Sequence, residues 1–179
     1  GIVFTEFMDM VEDTFSEEML DEVIEQSDLD SQGGYTSVGY YDHKEMIRMV
    51  MTLSRLTDTP VDDLVRAFGK HLFDRLANAY PALVEGFNNC LDFLESVDGV
   101  VHKEVLKLYP AAELPEFVCI RESGKKLIMT YRSTRPFSQL ALGLLHGCGD
   151  YFKENLEISY TSIDKEDIYS SRFEVELKS

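Results

Sequence analysis

Three polar side chains, Tyr131, Ser133 and Arg135, occur at every second position near the end of an apolar segment. In an extended chain such positions share one face, because successive side chains alternate between the two faces of a strand. A guanidinium binds a carboxylate through two parallel hydrogen bonds, and a phenol and a hydroxyl each add one donor. Leu127 and Met129 lie on the same face, so the segment predicts an apolar surface that ends in a carboxylate clamp. An exposed strand end with ordinary surface hydroxyls is the alternative interpretation.

His102 is distinguished by its neighbours. Val105, Leu106 and Tyr109 follow it by three, four and seven residues, which predicts that they share its face of a helix. This spacing points the imidazole into an apolar core, where it is neutral, and a neutral imidazole is a proximal ligand of haem iron. A hydrogen-bonded core histidine without a ligand is the alternative that spacing alone leaves open.

The other candidate residues offer little catalytic chemistry. His43, His71 and His146 have no i, i+4 partner with a third ligand, so a zinc site is not supported, and His43 is expected to be solvated after a helix cap. No Ser, Cys or Lys lies in a recognisable nucleophile motif, so we predict that the chain is not an enzyme. Residues 28–33 resemble the start of a calcium loop, but Gly39 replaces its bidentate glutamate and excludes that site.

Apolar residues recur with two different periods, one in the first part of the chain and the other in the last. A helical period predicts helices over residues 3–11 and 15–24, after Asp42, from Pro60 to Pro81, along residues 84–94 and around His102 up to Pro110. Alternation then predicts strands at 116–121, 125–133, 156–163 and 168–178, with a helix from Pro136 to about Phe152. Gly143 and Gly147, four residues apart in that helix, predict close helix packing.

The predicted fold class is therefore α+β, with an N-terminal helical half followed by an antiparallel sheet that contains an inserted helix. The length of 179 residues indicates one domain, 1–179. We expect a helical subdomain at about 1–60 and a remainder at about 61–179 that bears the candidate site.

Charge excludes several classes of partner. Lys and Arg number 17 against 33 Asp and Glu, which leaves a formal net charge of −16 and argues against nucleic acid and anionic membranes as partners. Residues 1–43 contain no Lys or Arg. This acidic segment is interpreted as solvated helix faces, with a docking surface for a basic partner as the alternative.

The chain also indicates a compartment. No apolar run approaches the length of a membrane helix, and the first segment lacks the positive charge of a signal peptide. Cys90, Cys119 and Cys148 lie far apart in apolar segments, which is typical of reduced, packed thiols. We therefore expect a cytoplasmic protein.

The residues from Tyr131 to Arg135 read Y-x-S-x-R, which resembles the haem-propionate clamp of the H-NOX family, the haem nitric oxide/oxygen binding domains. His102 precedes Tyr131 by twenty-nine residues, where that family has its proximal haem ligand. The opening residues 1–4, Pro115 and the order of helices then strands are similar to the family as well. The resemblance covers essentially the whole chain.

The resemblance implies one non-covalent haem b between the helical half and the sheet. His102 is then the iron ligand, Tyr131, Ser133 and Arg135 hold the propionates, and Pro115 presses on the macrocycle. Members that bind oxygen carry a tyrosine five residues after the clamp arginine, where this chain has Leu140. The other matching distal residues also lack a hydrogen-bond donor: Val3, Phe7, Leu72 and Leu144.

The resemblance therefore predicts a sensor that binds nitric oxide, with carbon monoxide as a further ligand, and excludes oxygen. Release of His102 is expected to signal to a separate partner, such as a histidine kinase or a cyclic-di-GMP enzyme, because the chain has no kinase or cyclase motif. An oxygen-binding or haem redox protein and a haem-free interaction module are the alternatives. Tyr80 or Tyr151 reaching the distal pocket would favour the oxygen-binding alternative.

Overall fold

Helices form the first part of the chain and a sheet the last, in a computed structural model that describes residues 1–37, 39–165 and 168–178. The helices are α1 (Ile2–Thr14), α2 (Glu17–Gln26), α3 (His43–Thr57), α4 (Val61–Ala79), α5 (Cys90–Ser96), α6 (His102–Leu108) and α7 (Ser138–Phe152). The strands are β1 (Glu116–Ser123), β2 (Lys126–Ser133), β3 (Asn155–Ser162) and β4 (Tyr169–Lys178). The predicted α+β class, with a helix inserted in an antiparallel sheet, is confirmed.

Side-chain caps explain where several helices begin. The Asp42 carboxylate accepts a hydrogen bond from the Lys44 amide at 2.9 Å, as the sequence predicts, and the Ser16 hydroxyl accepts one from the Met19 amide at 3.0 Å. Each bond satisfies one of the amides that have no partner within the first turn of a helix. Because both caps are local sequence signals, the starts of α2 and α3 could be predicted.

Two helix boundaries differ from the prediction. The stripe at residues 84–94 is not one helix: Gly86 has a φ of +88°, and α5 begins only at Cys90, after the Asn89 cap. Conversely, the Asp98-Gly99 pair does not interrupt the helical structure between α5 and α6. Residues Val97–Val101 form one turn of π-helix that connects α5 to α6 without a break. Such wide turns contain one extra residue and are frequent at functional sites.

The sheet has the strand order β1-β2-β4-β3, and all three pairs are antiparallel. On its inner face β2 places Met129 opposite Phe173 and Tyr131 opposite Ser171 of β4. Met129, Tyr131 and Phe173 are buried, which confirms the apolar face predicted for this strand.

Two apolar clusters form the core. One lies among α1–α4 and includes Leu64, Phe68 and Leu72 of α4, and the other lies between the sheet, α5 and α7. Leu144 of α7 packs against both clusters. The division near residue 60 stays a prediction. No helix among the described residues is long and apolar enough to span a bilayer.

Glycines allow α4 and α7 to cross at close range. A Cβ atom added to Gly69 would lie 2.6 Å from the carbonyl oxygen of Leu140 and 2.7 Å from the Cα atom of Gly143. Gly147 faces Phe73 and Lys70 of α4 at similarly short range. The close helix packing predicted from Gly143 and Gly147 is therefore confirmed.

We expect Gly69→Ala to lower the free energy of unfolding by about 1–3 kcal/mol, because the methyl group would force the two backbones apart. The control is Gly124→Ala in the β1–β2 turn, since an added Cβ atom there meets nothing within 4 Å. Urea unfolding measures both variants. Equal stability of Gly69→Ala and the wild type would show that the crossing is not tightly packed.

Candidate cofactor site

The clamp residues predicted from the sequence lie together at the end of β2. The Tyr131 hydroxyl donates a hydrogen bond to the Arg135 carbonyl oxygen at 3.1 Å, and the Arg135 amide donates one to the Ser133 hydroxyl at 3.1 Å. Tyr131 and Ser133 therefore hold the main chain of Arg135. Burial is the main cause that raises the pKa of Tyr131, so its phenol keeps its proton at neutral pH.

A carboxylate from the loop before β1 orients the Arg135 side chain. The guanidinium Nη2 of Arg135 lies 3.0 Å from Oε2 of Glu113. Both residues line an open cavity of about 430 Å³, together with Ser133 and Arg132. The guanidinium has five donors and Glu113 occupies one, so the fork retains the capacity to bind a further carboxylate.

His102 begins α6, directly after the turn of π-helix, and its side chain is 16% exposed. Its ring centroid lies 5.8 Å from that of Phe117, which in turn lies 5.7 Å from that of Tyr131. The candidate iron ligand and the clamp are thus joined by one aromatic side chain. Burial lowers the pKa of His102, against an opposing effect of Asp98, so the imidazole is neutral at neutral pH.

Asp98 faces one nitrogen of His102. Oδ1 of Asp98 lies 3.8 Å from Nδ1 of His102, which is too long for a hydrogen bond, and the same oxygen accepts a bond from the Phe117 amide at 3.0 Å. Because Nδ1 is the nitrogen on the Asp98 side, Nε2 is the candidate atom to bind a metal.

The five distal candidates share one apolar cluster. Phe7 and Leu72 are buried in the cluster among α1–α4, and three partly buried side chains pack against it: Val3, Leu140 and Leu144. None of these side chains has a hydrogen-bond donor. The two tyrosines named as possible distal donors lie elsewhere, since the Tyr80 hydroxyl pairs with that of Tyr109 and Tyr151 is exposed.

The structure corrects two expectations about the surroundings of the histidines. Leu106 does not share the inner face of α6 with His102, because its side chain is 39% exposed and α6 contains no fully buried residue. His43 is half-buried and packs edge-on against Phe137 with ring centroids 5.9 Å apart, so it is not fully solvated. Contacts between distant segments determine the exposure of Leu106 and of His43, and the local spacing of residues does not predict such contacts.

Pro115 lies half-buried in the loop that leads into β1, one residue before Glu116. Its position connects the segment after α6 with the edge strand of the sheet. Its role of pressing on a macrocycle stays a prediction.

Two residues of the site were missed from the sequence, namely Asp98 and Glu113. Both are acidic residues in an acidic chain, so their type carries no signal. Their partners, Phe117 and Arg135, lie 19 and 22 residues further along the chain. Only the fold brings these pairs together, and periodicity does not predict such contacts.

The thiols are placed as expected for packed cysteines. Cys90 and Cys148 are fully buried and adjacent, with the Cys90 thiol donating to the Cys148 carbonyl oxygen at 3.4 Å. Burial raises the pKa of Cys119 to about 11, and the neighbouring Cys90 thiol together with burial raises the pKa of Cys148. A thiol must ionise to react, so Cys119 and Cys148 are poor nucleophiles at neutral pH. Among the described residues, no group of His, Cys, Asp and Glu is arranged to hold a bare metal ion.

Comparison with known proteins indicates one family. The model of the Haem-NO-binding family matches residues 1–160. An Fe(II) unliganded H-NOX protein from K. algicida is 37% identical with a TM-score of 0.93, covering 100% of this chain and 96% of that chain. The H-NOX from Shewanella woodyi, solved with IWP-051 bound in the Fe(II)CO ligation state, is 43% identical with a TM-score of 0.82, covering 98% and 93%.

A curated relative is more distant. The soluble guanylate cyclase gcy-35 of Caenorhabditis elegans is 24% identical over 144 residues, which make up 75% of this chain and 20% of that protein. The chain thus spans about a fifth of the length of this relative, and the match concerns one part of it.

The chain belongs to the Haem-NO-binding, or H-NOX, family. Domains of this family bind haem and act as gas sensors, and they are sensor domains rather than catalytic ones. The residues present fit a haem: the His102 imidazole lies one aromatic ring away from the strand end where Ser133 and Arg135 retain N–H and O–H donors for a carboxylate.

Proposed function

We propose that this domain holds one haem b, binds nitric oxide at the ferrous iron, excludes oxygen and passes the signal to a partner protein. A bound haem would supply an iron atom that binds a protein nitrogen and a diatomic gas. The observation that carries the proposal is the pairing of a neutral, half-buried imidazole at His102 with the carboxylate clamp on β2.

His102 is proposed as the axial ligand through Nε2, since Nδ1 faces Asp98. A strong hydrogen bond from Nδ1 to a carboxylate makes a histidine a more basic ligand. Here Asp98 is 3.8 Å away and its oxygen already accepts from the Phe117 amide. Bound to iron, His102 would lack the support of a strong carboxylate hydrogen bond, which would favour its release when nitric oxide binds.

Tyr131, Ser133 and Arg135 are proposed to hold the propionates. Tyr131 contributes by fixing the Arg135 main chain, since its one hydroxyl proton bonds the Arg135 carbonyl oxygen, and the Glu113 carboxylate holds the guanidinium before a propionate would arrive. Positioned donors lose less conformational freedom on binding, which favours retention of a cofactor that has no covalent link. Pro115, in the loop beside Glu113, is proposed to press on the macrocycle.

The distal side is proposed to favour nitric oxide over oxygen because Val3, Phe7, Leu72, Leu140 and Leu144 offer no donor. A bound oxygen molecule draws negative charge and gains from a donated hydrogen bond, worth roughly 1.5–3 kcal/mol for a charged acceptor. Nitric oxide stays nearly neutral and loses far less in an apolar pocket. The same apolar surroundings accept carbon monoxide.

Signal output is proposed to follow the movement of α6 after release of His102. The partner is proposed to be a separate signalling enzyme, a histidine kinase or a cyclic-di-GMP enzyme, in the cytoplasm. The exposed acidic side chains of α1 and α2 offer a surface for a basic partner region, and they include Glu12, Asp13, Glu18, Asp21 and Glu25.

Absorbance spectra of the purified, reduced protein test this function. We expect a haem spectrum that is unchanged by air and a nitric oxide spectrum typical of iron without a bound histidine. A stable spectrum of the oxygen complex would favour the oxygen-binding alternative. A colourless protein that takes up no added haem would favour the interaction module, and six-coordinate iron with nitric oxide would contradict release of His102.

A further inference from the structure

Two helices of this fold end in the same way. The helices α4 and α6 are each followed by a Tyr-Pro pair, Tyr80-Pro81 and Tyr109-Pro110. Tyr80 has φ −130° and ψ 73°, and Tyr109 has φ −133° and ψ 79°. Each tyrosine amide donates to the carbonyl oxygen four residues earlier at 2.8 Å. The proline that follows cannot continue a helix, so both tyrosines are held at their helix ends.

The two tyrosines meet through their hydroxyl groups. The oxygens of Tyr80 and Tyr109 lie 3.2 Å apart in a partly buried position. Burial and the neighbouring Tyr80 hydroxyl raise the pKa of Tyr109 to about 12. Tyr109 is therefore protonated at neutral pH and can keep one hydrogen bond between the two helix ends.

The bond joins two helices that each contribute residues to the candidate site. The helix α6 begins with His102, whereas α4 contributes Phe68 and Leu72 to the distal apolar cluster. A second contact joins the residues after α6 to the segment before α3: the Ala111 amide donates a hydrogen bond to the Tyr40 hydroxyl at 3.3 Å. The C-terminal end of α6 is thus bound to the end of α4, and the residues after it are bound to the segment before α3.

We propose that the Tyr80–Tyr109 hydroxyl bond is the link through which the position of the His102 helix is transmitted to α4 and the N-terminal helices. The inference rests on the proposed function, because release of His102 is what displaces α6. Tyr80 and Tyr109 are positioning residues: they hold the C-terminal end of α6 while His102 holds its N-terminal end. Once His102 is released, α6 moves and pulls on the end of α4.

Hydrogen exchange on the haem-loaded ferrous chain tests the link in Tyr80→Phe, Tyr109→Phe and the double variant. Without gas, we expect amides at the ends of α4 and α6 to exchange about two- to tenfold faster in each single variant than in the wild type, as for loss of one neutral hydrogen bond. The double variant should exchange no faster than the single variants, because both substitutions remove the same bond. With nitric oxide, the wild type should exchange faster at the end of α4, and the single variants should lose this response.

The matched control is Tyr151→Phe, since the Tyr151 hydroxyl has no hydrogen-bond partner among the described residues. It should behave as the wild type. Effects of the two substitutions that multiply in the double variant would overturn the link, as would a nitric oxide response at α4 that persists in Tyr109→Phe. Failure of the proposed function gives a different result. The absorbance spectrum with nitric oxide would then show His102 still bound to iron, and hydrogen exchange without gas would still show whether the two tyrosines are joined.

Discussion

Replacement of His102 by glycine is expected to weaken haem retention on the order of a hundredfold. The basis is that even the outer partners of a metal ligand are worth ten- to hundredfold in affinity, and the ligand itself is worth no less. The His102 ring also packs near Phe117, so glycine leaves a space at the start of α6 that an imidazole molecule can enter. We expect added imidazole to restore the spectrum of the reduced wild type.

The measurement is transfer of haem from each variant to an excess of a haem-binding acceptor, followed by absorbance. His146→Gly is the matched control, since His146 is also half-buried and on a helix and burial also lowers its pKa. If His102→Gly retains haem as tightly as the wild type, with an unchanged ferrous spectrum, His102 is a core histidine and not the axial ligand.

Leu140→Tyr is expected to raise oxygen affinity by about ten- to hundredfold. The substitution places a phenol hydroxyl in the apolar cluster that contains Phe7 and Leu72, where one hydrogen bond to a ligand with negative charge is worth roughly 1.5–3 kcal/mol. Leu140 is half-buried at the edge of that cluster, so the phenol would lie beside the apolar side chains proposed to line the gas-binding side.

Oxygen titration of the reduced protein measures this effect, and Leu140→Phe is the control because it has the same ring without the hydroxyl. A gain in both variants would mean that ring size, and not the donor, determines oxygen affinity. No gain in either variant would place Leu140 away from the gas-binding side of the haem.

Much of the fold and part of the site were predictable from local sequence. The alternation at Tyr131 and Ser133 predicted one face of β2, and the Asp42 cap predicted the start of α3, because both signals depend on residues a few positions apart. The bonds of Asp98 to Phe117 and of Glu113 to Arg135 were not predictable. They join segments that only the folded chain brings together, and acidic residues are too frequent in this chain to mark them.

The single extra residue wound into Val97–Val101 determines where the imidazole points. Each residue of a regular helix turns the chain by about 100° around the axis. Wound as an ordinary helix from α5 onward, the same sequence would carry His102 about a quarter turn or more to one side and leave its ring away from Phe117. The π-helical turn at Val97–Val101 therefore determines the direction of the His102 side chain, the candidate iron ligand.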